Sequence, residues 1–206
     1  MHSPDQTAVQ GAELLRLARG SIEHGFAHRK PLPIDVGELP ATLSTPAATF
    51  TTLRLDGELR GCCGRLEAQL PLASDVAHSA FQAAFHDPRF SPVRRHEFEA
   101  LELEVSVLTP MEPFPVVDEA DLLARLTPHA DGLVIVAGGR RATFLPKVWE
   151  SLPDPRQFLN QLRLKCGLPQ DYWSERLEFL RYGTVTYAES GDRHDKFRST
   201  PRTLEG

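Results

Sequence analysis

Residues 49–64 read TFTTLRLDGELRGCCG, and this stretch decides the fold class. The runs TFTTLRL and ELRGCC are strand-like, and the Asp56-Gly57 pair between them suits a two-residue hairpin turn in which both central residues need positive φ. Such a turn predicts a register in which Leu55 faces Glu58, Leu53 faces Arg60, Thr51 faces Cys62, and Phe50 pairs with Cys63. Successive side chains of a strand alternate, so the adjacent thiols of Cys62 and Cys63 are expected on opposite surfaces.

Outward from the hairpin, the chain alternates helical and strand-like patterns. On the N-terminal side, Leu14, Leu17, Ala18 and Ile22 repeat at three and four and predict a helix over 7–24, capped by Asp5 or Thr7 and ended by Gly25. Prolines 31, 33, 40 and 46 then predict an extended connection carrying Leu32, Ile34 and Leu43. On the C-terminal side, a helix over 74–85 starts at a Ser74 cap and stops at Asp87-Pro88. LELEVSV at 101–107 alternates strictly and reads as a strand with one apolar and one carboxylate-bearing face. Asp118 caps a helix to Leu126, and a second hairpin turns at Gly138-Gly139 between strands over 132–137 and 140–145. Asp154-Pro155 opens a helix with Phe158, Leu162 and Cys166 on one face and Gly167 at its end. A last strand is expected over 177–187, followed by a polar tail, 190–206, expected to be disordered. Hairpin-linked strands mixed with helices in this order predict an α+β fold, a largely antiparallel sheet with flanking helices.

Composition narrows the function classes. The chain has 206 residues, 41% hydrophobic and 25% charged, which suits a globular protein with a sizeable core. No apolar run is long enough to span a membrane, and the N-terminus lacks a basic start followed by an apolar block, so no membrane association and a cytoplasmic location are expected. A formal net charge of −5 argues against a nucleic-acid partner, because phosphate-tracking surfaces need excess Lys and Arg. Three cysteines, two of them adjacent, make a poor disulfide framework and point to reduced thiols. No paired CxxC, HExxH, Walker loop or dinucleotide fingerprint occurs, and His24 and His28 straddle Gly25, so neither metal nor cofactor is expected. The absence of GxSxG removes the serine-hydrolase elbow.

Several separated motifs stand in a familiar order: LRGCCG at 59–64, AAFHDPRF at 83–90, LELEVSVLTP at 101–110, DGLVI at 131–135 with the following GGRRATFLP, and FLNQLRLKCGLP at 158–169. In these the chain resembles the AMMECR domain family, which includes the A component of the AmmeMemoRadiSam system. The resemblance covers nearly everything before the tail and implies one AMMECR-like domain over 1–189 in two interleaved, unequal subdomains that share a cleft, with LRGCxG near their junction. It also implies radical-SAM-type and Memo-type proteins as pathway partners, while implying no established reaction. The family pattern has isoleucine where this chain has Cys63, which supports Cys63 as packing and leaves Cys62 as the sulfur of interest.

The candidate site follows. Cys62 and Arg60 lie two apart, and a guanidinium on the same strand face favours thiolate, so Cys62 reads as a nucleophile or a covalent or redox contact. The plainer reading is a buried small hydrophobe, with Gly61 and Gly64 permitting close backbone approach. His86 can move a proton or cap a helix; Asp87 and Arg89, both matched by the family pattern, can line a cleft or form a structural pair. If its strand neighbours the hairpin, Glu104, which shares a face with Glu102, can pair with Arg60 and compete for its charge. Asp131 is a family-matched turn residue, and Arg140 and Arg141 sit at a hairpin tip. Together Arg60, Cys62, Asp87, Arg89, Glu104 and Asp131 suggest a small-molecule enzyme or enzyme component. Cys62 attacks or holds an intermediate, an arginine takes a small anionic ligand and a carboxylate moves a proton. The alternative is a noncatalytic protein-interaction module of the same pathway.

Overall fold

A computed structural model describes residues 4–189, and the tail at 190–206 lies outside the described residues. In chain order the elements are α1 (Pro4–His28), α2 (Ala41–Ser44), β1 (Thr49–Leu55), β2 (Glu58–Gly64), α3 (Leu72–Phe85), β3 (Leu101–Leu108) and β4 (Glu112–Pro113). They continue with α4 (Glu119–Arg125), β5 (Gly132–Ala137), β6 (Arg140–Phe144), α5 (Pro155–Lys165), β7 (Glu178–Tyr182) and β8 (Thr184–Ala188). The fold is α+β, with two sheets in the orders β2-β1-β3-β8 and β4-β7-β5-β6. Two compact units result: the chain leaves the first after Leu108, builds the second from Thr109 to Thr184, and rejoins the first at Val185. No helix among the described residues is long and apolar enough to cross a membrane.

The first hairpin turns where expected, with Asp56 at φ 52° and Gly57 at φ 80°, and Leu55 faces Glu58. Beyond Leu59 the expected register fails. The ladder shifts between Leu53 and Arg54, so Leu53 pairs with Gly61, Thr52 with Cys62, Thr51 with Cys63 and Phe50 with Gly64. Arg60 is the extra residue of a β-bulge, a feature that re-aims the side chains beyond it. The reason lies on α3. A Cβ on Gly61 would overlap the Ala83 carbonyl oxygen, so this residue must face the helix with no side chain at all. Because strand side chains alternate, the one-residue shift exchanges faces. It places Cys63 with Thr51 on the helix-covered surface and Cys62 with Thr52 on the opposite one.

Helices α1 and α3 pack together over one face of the first sheet, and Leu14, Ile22, Val76 and Ala80 meet Leu53, Leu103 and Val105 in the core. β3 shows the expected alternation, with Leu101, Leu103 and Val105 buried. Under β1 the covered face is polar. Asp75, fully buried, accepts hydrogen bonds from the Thr49 amide (2.9 Å) and hydroxyl (2.7 Å) and stands 2.7 Å from Arg65 Nε. The Ser79 hydroxyl links Thr49 and Thr51, so these buried hydroxyls are partnered, as burial demands.

Three sequence expectations for these elements need correction. α1 runs through Gly25 to His28, because the missing side chain admits the rings of Phe81 and Phe85; the helix ends instead where Arg29 takes φ 54°. Asp5 and Thr7, the expected caps, already lie inside α1. α3 begins at Leu72 with Pro71 as its cap residue, which leaves Ser74 within the first turn. The expected single strand over 177–187 breaks at Gly183 into β7 and β8, which belong to different sheets.

In the second unit, local signals carry through. Asp118 accepts from the Asp121 amide to cap α4, and Asp154 accepts from the Gln157 amide to cap α5. Phe158, Leu162 and Cys166 are buried with Leu133, Ile135 and Trp149, whose ring stacks on Phe158 at 3.8 Å.

The bulge can be tested by stability. Gly61→Ala should lower stability by about 1–3 kcal/mol in urea denaturation, the usual range for overpacking. Leu59→Ala, on the exposed arm of the same hairpin, should change it by less than about 0.5 kcal/mol.

Candidate functional site

The end of α3 and the bulged strand β2 form a joint, and Asp87 is its pin. His86 ends α3 as its cap residue, and the chain then folds back, with the Phe90 amide bonding the Asp87 carbonyl (3.1 Å) and the Val93 amide bonding Ala84 (2.8 Å). This turn aims the Asp87 carboxylate at β2. Oδ2 accepts from the Cys62 backbone N–H at 2.9 Å, while Oδ1 and Oδ2 take Arg89 Nε (3.0 Å) and Nη2 (2.7 Å) in a bidentate pair. The Asp87 side chain is 3% exposed and that of Arg89 54%, so the carboxylate is enclosed and the guanidinium can meet a solute. The Arg89 hydrogen bonds, helped by the Cys62 amide and opposed by burial, hold the Asp87 carboxyl well below the usual carboxylate range.

Cys62 itself is partly exposed. The Thr52 hydroxyl donates toward its sulfur at 3.6 Å, and Arg89 Nη2 reaches its carbonyl oxygen at 3.5 Å. Arg89 is held above its ordinary value chiefly by Asp87, with a smaller contribution from Cys62. The guanidinium bonded to the Cys62 residue is thus Arg89, whereas sequence spacing pointed to Arg60. Burial pushes the Cys63 thiol up, in keeping with its place against the core, and Cys166 is buried in the second unit.

Arg60, freed from the strand alternation by its bulge, reaches the 91–97 segment. It makes four hydrogen bonds: Nε to Glu97 Oε1 (2.8 Å), Nη2 to Glu97 Oε2 (3.0 Å) and the Pro92 carbonyl (3.4 Å), and Nη1 to the Ser91 carbonyl (2.9 Å). Glu97 also accepts from the Arg94 amide at 2.6 Å. The Arg60 hydrogen bonds are the main reason that the Glu97 carboxyl titrates at about 2. Arg60, Phe90, Ser91, Arg94, His96 and Glu97 line a hollow of about 280 Å³.

The remaining candidates divide. Glu104 lies across the sheet from Cys62 with Thr52 between them, on the same face. Strands are about 4.8 Å apart, so Glu104 is about 10 Å from Cys62 at the backbone. β3 neighbours the hairpin through β1, where Thr52 pairs with both Cys62 and Glu104, while Arg60 bonds Glu97. Gly64, like Gly61, marks close approach: a Cβ there would meet the Thr49 carbonyl and the Phe50 ring. Asp131 belongs to the second unit, where its carboxylate accepts from the Thr127 amide (2.8 Å) and its carbonyl from Trp149 Nε1 (2.7 Å). Burial raises its carboxyl, and Arg181 at 3.9 Å opposes the shift. Thr52, Phe90, Arg94, His96 and Glu97 escaped the sequence reading. Thr52 requires the bulged register, and 90–97 carries no periodic signal.

The two anchoring carboxylates should make the protein acid-sensitive. Both titrate lower in the folded chain than in the unfolded one, so their contribution is complete above about pH 4–5 and falls away as the pH drops toward 2. Urea denaturation from pH 7 to pH 2.5 should show stability declining below about pH 4, with Asp87→Asn and Glu97→Gln each less stable at pH 7 and each flattening that decline.

The AMMECR1 family model matches residues 15–187. A protein of Methanothermobacter thermautotrophicus is 34% identical over 188 residues, covering 88% of this chain and 95% of its own. A Methanocaldococcus jannaschii protein is 35% identical over 191 residues, with 89% and 92% covered. Among solved structures, an uncharacterised protein from Pyrococcus horikoshii superposes with a TM-score of 0.81 at 30% identity, covering 91% of this chain and 95% of that one. With one family model spanning most of its length and relatives aligned nearly end to end, this chain belongs to the AMMECR1 family.

Proposed function

We propose that the chain is a small-molecule enzyme, or a component of one, with Cys62 as the reactive group. One observation carries the reading: of the three thiols, Cys62 alone lies on the sheet face opposite α1 and α3, with a hydroxyl donor and a guanidinium at hand. The Thr52 hydroxyl donates to the sulfur, and Arg89 brings a positive charge to the same residue. Asp87 tempers that charge and acts as a positioning residue, since it fixes the Cys62 amide and the Arg89 fork together. Arg89, half exposed, is the cation for an anionic substrate group, and Glu104 is the carboxylate of the same face. The radical-SAM-type and Memo-type partners enter from the family resemblance, as the proteins to test for association. The interaction-module reading gains no specific support: the exposed large apolar residues among those described, Val9, Leu59, Val117, Leu164 and Tyr172, are scattered along the chain.

Thiol alkylation of the native protein, followed by mass spectrometry, tests the proposal. Cys62 should label ahead of Cys63 and Cys166, and Arg89→Gln should slow its labelling severalfold. A Cys62 that reacts no faster than the same thiol in the urea-unfolded chain sinks the idea. In cells, Cys62→Ser should change the pool of small metabolites while leaving folding and partner association intact; lost association with an unchanged metabolite profile would mark an interaction module.

A further inference from the structure

We infer that the hollow beside the bulge binds a small organic acid, a monoanionic carboxylate attached to a flat apolar body. It lies wholly within the first unit, and its volume of about 280 Å³ stands at the lower edge of ligand pockets, which suits a metabolite rather than a chain segment. Its walls are built rather than incidental. Glu97 and Arg60 lock each other through two hydrogen bonds, and the Ser91 and Pro92 carbonyls take further guanidinium hydrogens, so Arg60 shapes the wall with most of its donors engaged.

The Arg60 charge is balanced by Glu97, which leaves Arg94 and His96 as the donors on the lining. Neither side chain has a hydrogen bond among the described residues, and both are exposed to solvent. The surplus charge is therefore positive, and an anion is the ligand that completes it. The fixed carboxylate of Glu97 on the same wall penalises a second negative charge, which favours a carboxylate over a phosphate dianion. Phe90 supplies the apolar surface. Its ring is half-buried and backed by the Arg89 guanidinium at 5.4 Å, which holds one aromatic face for a flat group.

Arg60 is two residues from Cys62, and Phe90 follows Arg89, so a ligand here sits on the segments that carry the thiol. Its role as substrate rests on the reading of Cys62 given above; binding does not.

NMR titration of the full chain with benzoate, benzamide and inorganic phosphate separates the possibilities. Benzoate should bind saturably, with benzamide, its neutral isostere, weaker by about tenfold or more, and Arg94→Ala should weaken benzoate by a similar factor. His96→Ala should weaken it less, and Cys62→Ser should leave it unchanged. Absent benzoate binding, equal binding of benzamide, or an unaffected Arg94→Ala variant would overturn the site, and phosphate bound as tightly as benzoate would overturn the carboxylate class. Intact benzoate binding with an unreactive Cys62 would instead remove the thiol proposal and leave the hollow standing.

Discussion

One carboxylate ties the first unit's site together. Asp87 emerges from the end of α3 and accepts the edge-strand amide of Cys62 while gripping Arg89 with both oxygens. An edge strand has amides with no partner in the sheet, and a buried anion that meets one of them both satisfies it and sets the strand's position. Gly61 completes the joint from the other side, because its lack of a side chain lets β2 come against the Ala83 carbonyl. The two constraints act on adjacent residues, so the bulge, the face on which Cys62 lies and the reach of Arg60 follow from them together.

A second ion pair repeats the principle a few residues away. Arg60 and Glu97 are both largely buried, with side-chain exposures of 13% and 14%, and the backbone carbonyls of Ser91 and Pro92 share the guanidinium. Exposed ion pairs such as Arg95–Glu23 contribute little, whereas an enclosed, multiply bonded pair leaves a buried charge without a partner if either member is lost. The 86–97 segment is thus pinned to the hairpin at two points. That rigidity allows a thiol, a half-exposed arginine and an aromatic-lined hollow to keep fixed positions without regular secondary structure around them.

Much of this was legible from local chemistry. Asp56-Gly57 has the backbone freedom that its turn needs, Asp118 and Asp154 have the side-chain oxygens that cap helices, and LELEVSV alternates because one sheet face is covered. Cys62 could be singled out from its motif, and Asp87 and Arg89 from theirs. Their joining could not, since the Asp87–Cys62 hydrogen bond links segments that share no pattern. Gly25 shows the same limit: a glycine inside a helix costs about 1 kcal/mol and reads as a stop, but the packing of Phe81 and Phe85 into the space it leaves outweighs that cost.

The sequence by itself determined the α+β class, the two hairpins, the ends of α4 and α5 and the opposed directions of the vicinal thiols, because turn dihedrals, capping and side-chain period are properties of neighbouring residues. Only the tertiary structure decided which thiol meets the helices, which arginine stands by Cys62, that Arg60 belongs to Glu97, and that the final strand divides between two sheets. Those outcomes turn on contacts between segments distant in the chain. A one-residue shift in β2 costs little locally, yet it reverses every side chain beyond it.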